Sequence, residues 1–536
     1  MRRHVSSSAV INFRRYHKFA VLLAAPFLFS LMVGCSKFKP FDPASLTFLI
    51  ESSPANLDPR YSTDAQSAHI DALLFNSLVI RDEQMNFHGD LAESWETPDA
   101  LTYIFHLRGG VRFHDGRPLT SADVKATFDF ILNPANQSPK RGGFKVLSSV
   151  EAANPSTVIF HLKSPYASLL FNLIPSAVGI VPANAGPDFS RHPIGSGPFQ
   201  FVSLQQDDEV IVERNPNYFR GAPVLERVRF RVVPDAIVRA LELRKGSADL
   251  EMSSLSADMI PVLARQPALT ITERAGTNFA YLGLNMVDPI LAHREVRQAL
   301  AFATDRKSLV QYLLHGQAQL ASGVLPPNHW AYEPNVAQYP YDLARAETLL
   351  DAAGFPRKSN GIRFHLALKC STEEQARLVG AALQQQWRNA GIELEIRPLE
   401  LATLFSDVAK GNFQLSYAKW VGANNDPDFF DFVFSSKRFP PDGANRGHFH
   451  DPRVDALIEQ IRAQMDQQKR KEECSEVQKI LAEEVPYINL WFSDVISVHR
   501  RELGALPLSP TGDFDFLAAP RAETSVTSPA YFRSSK

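Results

Sequence analysis

Cysteine is scarce in this chain, which has only Cys35, Cys370 and Cys474 among its 536 residues. A disulfide framework needs more cysteines than this, so the fold has to rest on buried apolar side chains. A chain of this length exceeds the size at which one hydrophobic core stops growing, and we expect two or three domains. We expect Cys370 and Cys474 to be free thiols, with one bridge between them as the alternative.

An excess of charge of either sign is also missing. The chain carries 56 basic and 58 acidic residues, which gives a formal net charge of -2. Binding to nucleic acid requires a clustered basic surface that displaces counterions from the phosphates. We therefore expect no nucleic-acid partner.

The sequence motifs of common enzymes are absent as well. There is no Walker A loop, no His-Glu-x-x-His, no nucleophile elbow and no Cys-x-x-Cys. The Gly-Ser-Gly segment 195–197 lacks the later Gly or Lys of a phosphate loop and predicts a tight turn at a domain crossing. His448 and His450 could hold a metal, as could His106 and His161, but no further ligand pairs with them. We expect no metal, no cofactor and no catalysis.

The apolar run 19–33 is shorter than the roughly 20 residues that a membrane span needs. It follows several arginines and ends in Leu-Met-Val-Gly before Cys35, which predicts a signal peptide over residues 1–34. This ending resembles the lipobox of bacterial lipoproteins, in which the cysteine becomes an acylated N-terminus. We expect a membrane-anchored protein of the periplasm or cell surface, lipidated at Cys35. An ordinary secretory signal or a retained short anchor is the alternative.

The first half of the chain mixes helices with short strands. Apolar residues at helical spacing predict a helix over 66–79, and Thr120 with Asp123 forms a capping-box start for another. Residues 102–108 and 157–163 have nearly the same sequence. They predict two strands of one sheet with similar exposure, and their different flanks argue against a domain duplication.

Strands and helices alternate regularly in the second half. The pattern predicts strand 365–369, helix 373–390 ending at Gly391, strand 392–397, helix 401–410 and strand 413–420. This spacing is typical of β-α-β units with a mostly parallel sheet. Ligands of such sheets bind beyond the carboxyl ends of the strands, and Trp420 stands at the end of one.

The segment 420–430 (Trp-Val-Gly-Ala-Asn-Asn-Asp-Pro-Asp-Phe-Phe) is the strongest candidate for ligand contact. Its composition suits a pocket, and equally an Asx-rich turn that satisfies its own backbone. Its place at a strand end favours the pocket. We expect Trp420 to stack on a solute, and Asn424 and Asn425 to exchange hydrogen bonds with it. Asp426 and Asp428 either take a cationic group or, as we favour, brace the loop.

A series of sequence blocks resembles the family 5 bacterial extracellular solute-binding proteins, the peptide- and nickel-binding components of ABC importers. The blocks are LAESW at 91–95, TYIFHLR at 102–108, GVRFHDG at 110–116, TSADV at 120–124, PIGSGPF at 193–199, ERNPNY at 213–218, YLGLN at 281–285, VRQAL at 296–300, DR at 305–306 and YDLAR at 341–345. They follow the family's order over almost the whole mature chain.

The resemblance implies an α/β fold of the periplasmic-binding-protein type with two lobes and an extra domain in the first. The expected first-lobe core comprises residues 35–65, 190–284 and 492–520, the extra domain 66–189, the second lobe 285–491, and a loosely ordered tail 521–536. Tyr61, Ser62 and Thr63 of the first lobe and Phe279 near the crossing are then weaker candidates for ligand contact.

Two positions depart from the dipeptide-binding members that the chain resembles. Their loop reads Trp-x-Gly-Asp, and the Asp pairs with the peptide's ammonium group, whereas this chain has Ala423. They also place an Arg for the peptide carboxylate after the first parallel strand of the lobe, where Lys369 stands here. Both changes alter a charge pair that would discriminate among ligands.

The resemblance implies a monomeric receptor that traps a peptide or peptide-like solute by hinge closure and delivers it to an ABC permease. Transport of a non-peptide solute, such as a metal chelate or a glycoside, is the alternative. An exported hydrolase with its site at His448 and His450 is a further alternative of a different class.

Overall fold

The computed structural model of this protein describes residues 41–519. The predicted signal peptide, the lipidation site Cys35 and the predicted tail 521–536 lie outside the described residues.

The strands, labelled in chain order, are β1 (Ser45–Ile50), β2 (Val79–Arg81), β3 (Phe87–Gly89), β4 (Ala92–Asp99), β5 (Thr102–Leu107), β6 (Leu147–Asn154), β7 (Thr157–Leu162), β8 (Phe199–Gln205), β9 (Glu209–Arg214), β10 (Arg227–Val232), β11 (Leu250–Met252), β12 (Leu269–Leu284), β13 (Ala318–Leu320), β14 (Phe364–Ser371), β15 (Ile392–Leu399), β16 (Leu415–Trp420) and β17 (Tyr487–Arg500). The α-helices span Ala65–Leu74, Ser121–Leu132, Arg141–Phe144, Ala236–Lys245, Met259–Leu263, Arg294–Phe302, Arg306–Ser308, Leu343–Ala352, Glu374–Asn389, Leu401–Ala409, Phe429–Phe434, Pro452–Ala463 and Gln467–Glu484.

Most strands belong to one eleven-stranded sheet with the order β15-β14-β16-β12-β17-β11-β1-β10-β9-β8, and β13 pairs with β17 beside this path. The predicted parallel arrangement of the second half is confirmed, because β14 pairs in parallel with both β15 and β16. Helix Glu374–Asn389 packs its apolar face, including Val379, Leu383 and Trp387, against this part of the sheet.

A separate four-stranded sheet has the order β4-β5-β7-β6. The two similar segments do lie side by side, with Thr102 of β5 opposite His161 of β7. Helix Ser121–Leu132 covers this sheet and begins with the predicted capping box between Thr120 and Asp123. This sheet therefore has its own core, which contains Phe105, Phe128 and Phe160 among others.

The buried cores separate at one place in the long strands β12 and β17. On one side, three cores are built from residues between Phe279 and Phe492. On the other side, the cores are built from residues between Leu46 and Leu269 and between Val495 and Leu517. We call these sides the second and the first lobe, and the place where β12 and β17 pass between them the crossing. The four-stranded sheet belongs to the first lobe. The fold is thus a two-lobed α/β architecture, as predicted, while the exact domain boundaries stay a prediction.

The crossing contains an irregularity in the ladder between β12 and β17. Arg274 lies opposite Val495 and Asn278 opposite Ser493, so three residues of β12 face the single residue Asp494. Gly276 lies in this bulge, and a Cβ there would stand 2.2 Å from the carbonyl oxygen of Ser493. Glycine is therefore required by the close approach of the two backbones.

The helix predicted over 66–79 is shorter in the structure. It spans Ala65–Leu74, and Val79 already begins β2. Gly197 donates a backbone hydrogen bond to the Leu74 carbonyl, and the Asp90 carboxylate accepts one from the Ser77 N–H. These contacts with distant segments end the helix although its apolar spacing continues.

Cys370 and Cys474 are both free and buried, which confirms the prediction of free thiols. Within residues 41–519, no helix is long and apolar enough to span a membrane.

Candidate functional site

The loop that follows β16 lies at the boundary of the two lobes. Trp420 pairs with Phe279 of β12, which is close to the crossing. Gly422 then adopts a left-handed conformation with φ of 74°, a short 3-10 turn covers Ala423–Asn425, and helix Phe429–Phe434 follows. The chain reverses here because glycine tolerates the positive φ.

Trp420 is held by aromatic neighbours of the second lobe. Its ring is parallel to Tyr281 at a centroid distance of 6.2 Å, and the rings of Phe429 and Phe432 meet it edge-on at 5.2 and 6.0 Å. The guanidinium of Arg446 lies 5.3 Å from the centroid of the ring. The indole is only partly exposed, so its orientation is set by packing rather than by a ligand.

Asn424 fixes the start of the loop to two other segments. Its Nδ2 donates to the carbonyl oxygens of Thr277 and Val324, both at 3.0 Å. The Oδ1 atoms of Asn424 and Asn425 are buried and accept no hydrogen bond within the described residues. His329 lies against the Asn425 backbone, and burial lowers the pKa of its imidazole to about 4, so this neighbour is neutral. The loop therefore offers two amide oxygens that remain able to accept.

Asp426 connects the loop to the first lobe. Its Oδ1 accepts a hydrogen bond from the Ser168 hydroxyl at 2.5 Å and from the backbone N–H of Asp428 at 2.8 Å. The guanidinium of Arg470 is 3.5 Å from the same oxygen. Because Asp426, Ser168 and Arg470 are all buried, this is an ion pair and hydrogen-bond network inside the interface between the lobes.

Asp428 makes a second connection of the same kind. Its Oδ2 accepts from the Tyr166 hydroxyl at 2.8 Å, and its Oδ1 accepts from Arg462 Nε at 2.8 Å. Burial raises the pKa of the Asp428 carboxyl, while Arg462 acts in the opposite direction. Both carboxylates are thus satisfied by protein groups, which is the geometry of a braced loop. Contact of Asp426 or Asp428 with a ligand stays a prediction.

The other sequence-predicted residues divide into two groups. Phe279 is fully buried next to Trp420 and stacks on Tyr281 at 5.6 Å. Tyr61, in contrast, donates to the Asn136 carbonyl at 2.8 Å, and Ser62 lies against Asp71, so both are engaged inside the first lobe. Thr63 is exposed. Within the described chain, residues 61–63 form no hydrogen bond with the Trp420 loop.

Candidate metal ligands do not come together in the part of the chain that the structure describes, where no group of three or more His, Cys, Asp or Glu could hold an ion. His450 Nδ1 is 3.9 Å from Asp455, and His448 packs against the ring of Phe439. His106 and His161 are half-exposed on their strands beside Glu96 and Glu151.

A family model described as "Bacterial extracellular solute-binding proteins, family 5 Middle" matches residues 86–440, which is more than half of the chain. The chain belongs to this family. The resemblance drawn from the sequence blocks is therefore confirmed.

Relatives of this family 5 protein are binding proteins of transporters. It is 30% identical over 507 residues to the probable di/tripeptide-binding protein 5 of Pseudomonas aeruginosa, covering 89% of this chain and 96% of that one. It is 28% identical over 480 residues to the glutathione-binding protein GsiB of Salmonella typhimurium, covering 87% and 92%. The protein is a binding protein and not an enzyme, which removes the exported hydrolase from the alternatives.

Solved structures of the same architecture bind different solutes. NikZ of Campylobacter jejuni in complex with Ni(L-His) is 27% identical with a TM-score of 0.75, covering 88% of this chain and 98% of that one. The oligopeptide-binding protein AppA of Bacillus subtilis in complex with a nonapeptide is 26% identical with a TM-score of 0.73, covering 90% and 99%.

Lys369, where the resemblance places an Arg, is already paired in this family 5 protein. Its Nζ lies 2.7 Å from the carboxylate of Asp407 and also donates to the carbonyl oxygen of Asn412. Its charge is therefore balanced within the second lobe. Ala423 carries no charge, so neither position that the resemblance assigns to a peptide terminus has an unpaired charged group.

Sequence reasoning missed Tyr166, Ser168, Arg462 and Arg470, which contact the loop. Tyr166 and Ser168 precede their partners by 262 and 258 residues, and their segment forms a 3-10 helix without periodicity. No sequence signal links positions so far apart in a single chain.

Proposed function

We propose that this protein is an extracytoplasmic receptor of an ABC importer, held at the membrane by a lipid on Cys35 and acting as a monomer. Membership of family 5 supports the importer assignment, and the ending Leu-Met-Val-Gly-Cys of the apolar N-terminal run supports the lipid. An acylated and diacylated cysteine carries enough buried methylenes for stable anchoring.

The solute binds where the loop after β16 meets the first lobe. One observation carries this proposal: Asp426 and Asp428 bond to Ser168 and Tyr166 across the lobes, so the loop is positioned at the place where the lobes meet. Hinge closure around a ligand uses contacts that form only when the lobes come together. Trp420, Asn424 and Asn425 then face the solute from the second lobe.

The solute is a peptide or a peptide-like molecule whose recognition does not depend on both free termini. The names of the Pseudomonas and Salmonella relatives support a peptide or a peptide-like thiol. Ala423 and the paired Lys369 argue against the ammonium and carboxylate contacts that hold a free dipeptide. The amide oxygens of Asn424 and Asn425 suit hydrogen-bond donors of a peptide backbone.

A chelated metal or a glycoside is the second candidate. The architecture also accommodates a nickel complex of histidine, as the similar NikZ structure shows for its own ligand. If the solute is of this kind, Trp420 packs on it, and it has no charged terminus that needs a partner.

Native mass spectrometry of protein purified from a peptide-rich extract tests the solute class. We expect a co-purifying mass that fragments as a peptide or peptide conjugate. A metal complex or a sugar supports the second candidate, and turnover of any substrate contradicts both.

Trp420→Ala tests the place of the site, with Trp95→Ala as the matched control because Trp95 lies in β4 of the first lobe. We expect loss of the solute-induced fluorescence change and at least tenfold weaker binding only for Trp420→Ala. Unaltered binding in this variant would show that the solute binds elsewhere.

The lipid is tested with Cys35→Ser. We expect the wild-type chain in the membrane fraction with the mass of a lipidated N-terminus, and the variant released from it. Equal membrane association of both chains contradicts lipidation at Cys35.

A further inference from the structure

The first lobe contributes an unpaired arginine to the interface between the lobes. Arg81 ends β2, and its side chain is only partly exposed. Its Nη1 atom is buried and has no hydrogen-bond partner, and no carboxylate within residues 41–519 forms an ion pair with the guanidinium. A charged donor that is buried without an acceptor is costly, and a bound group that supplies the acceptor would remove this cost.

A ring contact places Arg81 beside the loop that we assign to solute binding. Its guanidinium carbon lies 5.3 Å from the centroid of the Phe171 ring. Phe171 belongs to the 3-10 helix Ala167–Leu173, in which residues three apart lie on one face. Ser168 is three residues earlier, and it donates to Asp426 of the second lobe at 2.5 Å. Arg81 is therefore next to the point at which the loop after β16 meets the first lobe.

The turn that follows Arg81 also contacts the second lobe. The Glu83 carbonyl accepts a hydrogen bond from Asn328 Nδ2 at 2.7 Å, and Asn86 Oδ1 accepts one from Gln467 Nε2 at 3.4 Å. Contacts between the lobes thus lie on both sides of Arg81, although its guanidinium forms no hydrogen bond within the described chain.

Two other arginines at this interface are already paired. Arg470 lies 3.5 Å from a carboxylate oxygen of Asp426, and Arg462 Nε donates to Asp428 at 2.8 Å. Their charges are balanced by the protein, so they add little positive charge for a solute. Arg81 therefore suits a group with a single negative charge, such as a carboxylate, better than a doubly charged phosphate.

Carboxylates of the protein lie near Arg81 without binding it. Burial lowers the pKa of Arg81, and the charges of Asp513 and Asp426 act in the opposite direction. Asp513 accepts a hydrogen bond from the Thr511 hydroxyl and lies 3.6 Å from His69. Asp426 is engaged by Ser168 and by its own loop. Both carboxylates thus favour the charged form of Arg81 and leave its N–H groups unoccupied.

We propose that Arg81 binds a carboxylate group of the solute, from the lobe opposite to Lys369. The inference rests on the proposed function, because it concerns the same solute and the same site. A guanidinium can form two parallel hydrogen bonds with a carboxylate. The solute then presents hydrogen-bond donors to the amide oxygens of Asn424 and Asn425 in the second lobe, so it connects the two lobes.

Two preparations of one peptide-rich extract test whether a carboxylate is bound. One is left untreated, and in the other the carboxyl groups are converted to methyl esters, which removes their charge. Protein that has been stripped of solute by dialysis in urea and then refolded is incubated with each, and native mass spectrometry identifies what it retains. We expect a solute from the untreated extract and none from the esterified one.

Arg81→Gln tests the residue itself. We expect this variant to bind the solute identified in the untreated extract at least tenfold more weakly than the wild type. Arg81→Lys should lie between the two, because lysine keeps the charge but not the paired N–H groups. Arg191→Gln is the matched control, since Arg191 belongs to the same lobe and its side chain is 79% exposed. It should bind the solute as the wild type does.

Unfolding in urea separates a solute contact from a structural role. Because Arg81 has no carboxylate partner to lose, Arg81→Gln should unfold at the same urea concentration as the wild type or at a higher one. A variant that binds the solute normally overturns the proposal, and so does one that loses stability together with affinity.

The outcomes also distinguish this contact from the receptor function. Equal retention of a solute from the untreated and the esterified extract overturns the Arg81 contact alone. A wild type that retains nothing from either extract contradicts the proposed function, and the Arg81 contact with it.

Discussion

Tyr166 donates a 2.8 Å hydrogen bond to Asp428 of the opposite lobe. Burial and the nearby Asp428 carboxyl raise the pKa of the Tyr166 phenol well above its usual range, so Tyr166 is a donor at every physiological pH. This bond connects the loop that we assign to solute binding with the first lobe. Changes on either side of it should therefore affect the stability of the interface.

Tyr166→Phe removes the hydroxyl and leaves one oxygen of the half-buried Asp428 carboxylate without its donor. We expect the free energy of unfolding to fall by about 1 kcal/mol, measured by urea denaturation. Tyr312→Phe is the control, because Tyr312 is 80% exposed and should be neutral. If both variants are equally stable, the bond to Asp428 contributes nothing.

Asp426→Asn leaves Arg470 buried without a carboxylate. Removing one partner of a buried pair costs about 3 kcal/mol or more, and we expect a loss of this size in chemical unfolding. Glu459→Gln breaks the solvent-exposed pair with Lys437 and should have no measurable effect. Equal stability of the Asp426 variant and the wild type would show that Ser168 and Arg470 do not depend on this carboxylate.

Ala423→Asp introduces the carboxylate that the resemblance to dipeptide-binding members of the family implies at this position. We expect tighter binding of a dipeptide with a free N-terminus by about tenfold, since a charge-assisted hydrogen bond contributes about 1.5 kcal/mol or more. Ala423→Asn is the control, and the N-acetylated dipeptide should show no gain. Isothermal titration calorimetry measures the affinity of each variant for the free and for the acetylated dipeptide. A gain that is equal for the free and the acetylated peptide would place the ammonium group elsewhere.

Glu251→Gln tests a buried acid of β11. Burial raises the pKa of Glu251 to about 7 although Ser254 bonds to it. The unfolded state loses this proton near pH 4.5 but the folded state keeps it until about 7, so the stability that it contributes is lost as pH rises through this window.

The glutamine variant has no such proton to lose. Relative to the wild type, it should gain about 3 kcal/mol between pH 5 and pH 8 in urea unfolding. Glu395→Gln, on an exposed strand position, should show no such change. Parallel pH profiles of Glu251→Gln and the wild type would mean that Glu251 is ionised in the folded protein.

The spacing of apolar residues predicted the helices and strands of the second lobe well. These elements are long, and residues typical of turns, such as glycine, mark their ends. The helix predicted over 373–390 spans Glu374–Asn389, and Gly391 beyond it has φ of 80°. The strand predicted over 413–420 is β16, which starts two residues later. The spacing of apolar residues and one glycine were sufficient to predict these elements, because the apolar residues are also the buried ones.

A contact with a distant segment sets the end of a helix that periodicity predicted to be longer. The helix from Ala65 stops at Leu74 because the backbone of 195–197 approaches it. That segment is far from Leu74 in the sequence, so local propensity could not reveal where the helix ends.

The candidate site shows the same division. The place of Trp420 at the end of a strand follows from the order of strands and helices, whereas its pairing with Phe279 is visible only in the structure. Ser168 and Arg470, which hold Asp426, come from other segments that only the fold brings together. A sequence of one chain indicates the loop but not the side chains that position it.

The lobes share one continuous sheet, since β12 and β17 run through both and stay paired on each side of the bulge. Two paired strands resist twisting and sliding far more than two separate linkers do. We therefore expect motion between the lobes to be mainly bending at the bulge near Gly276 and Asp494. A permease that binds this protein would then need to distinguish only different angles between the two lobes. That angle can indicate whether a solute is bound.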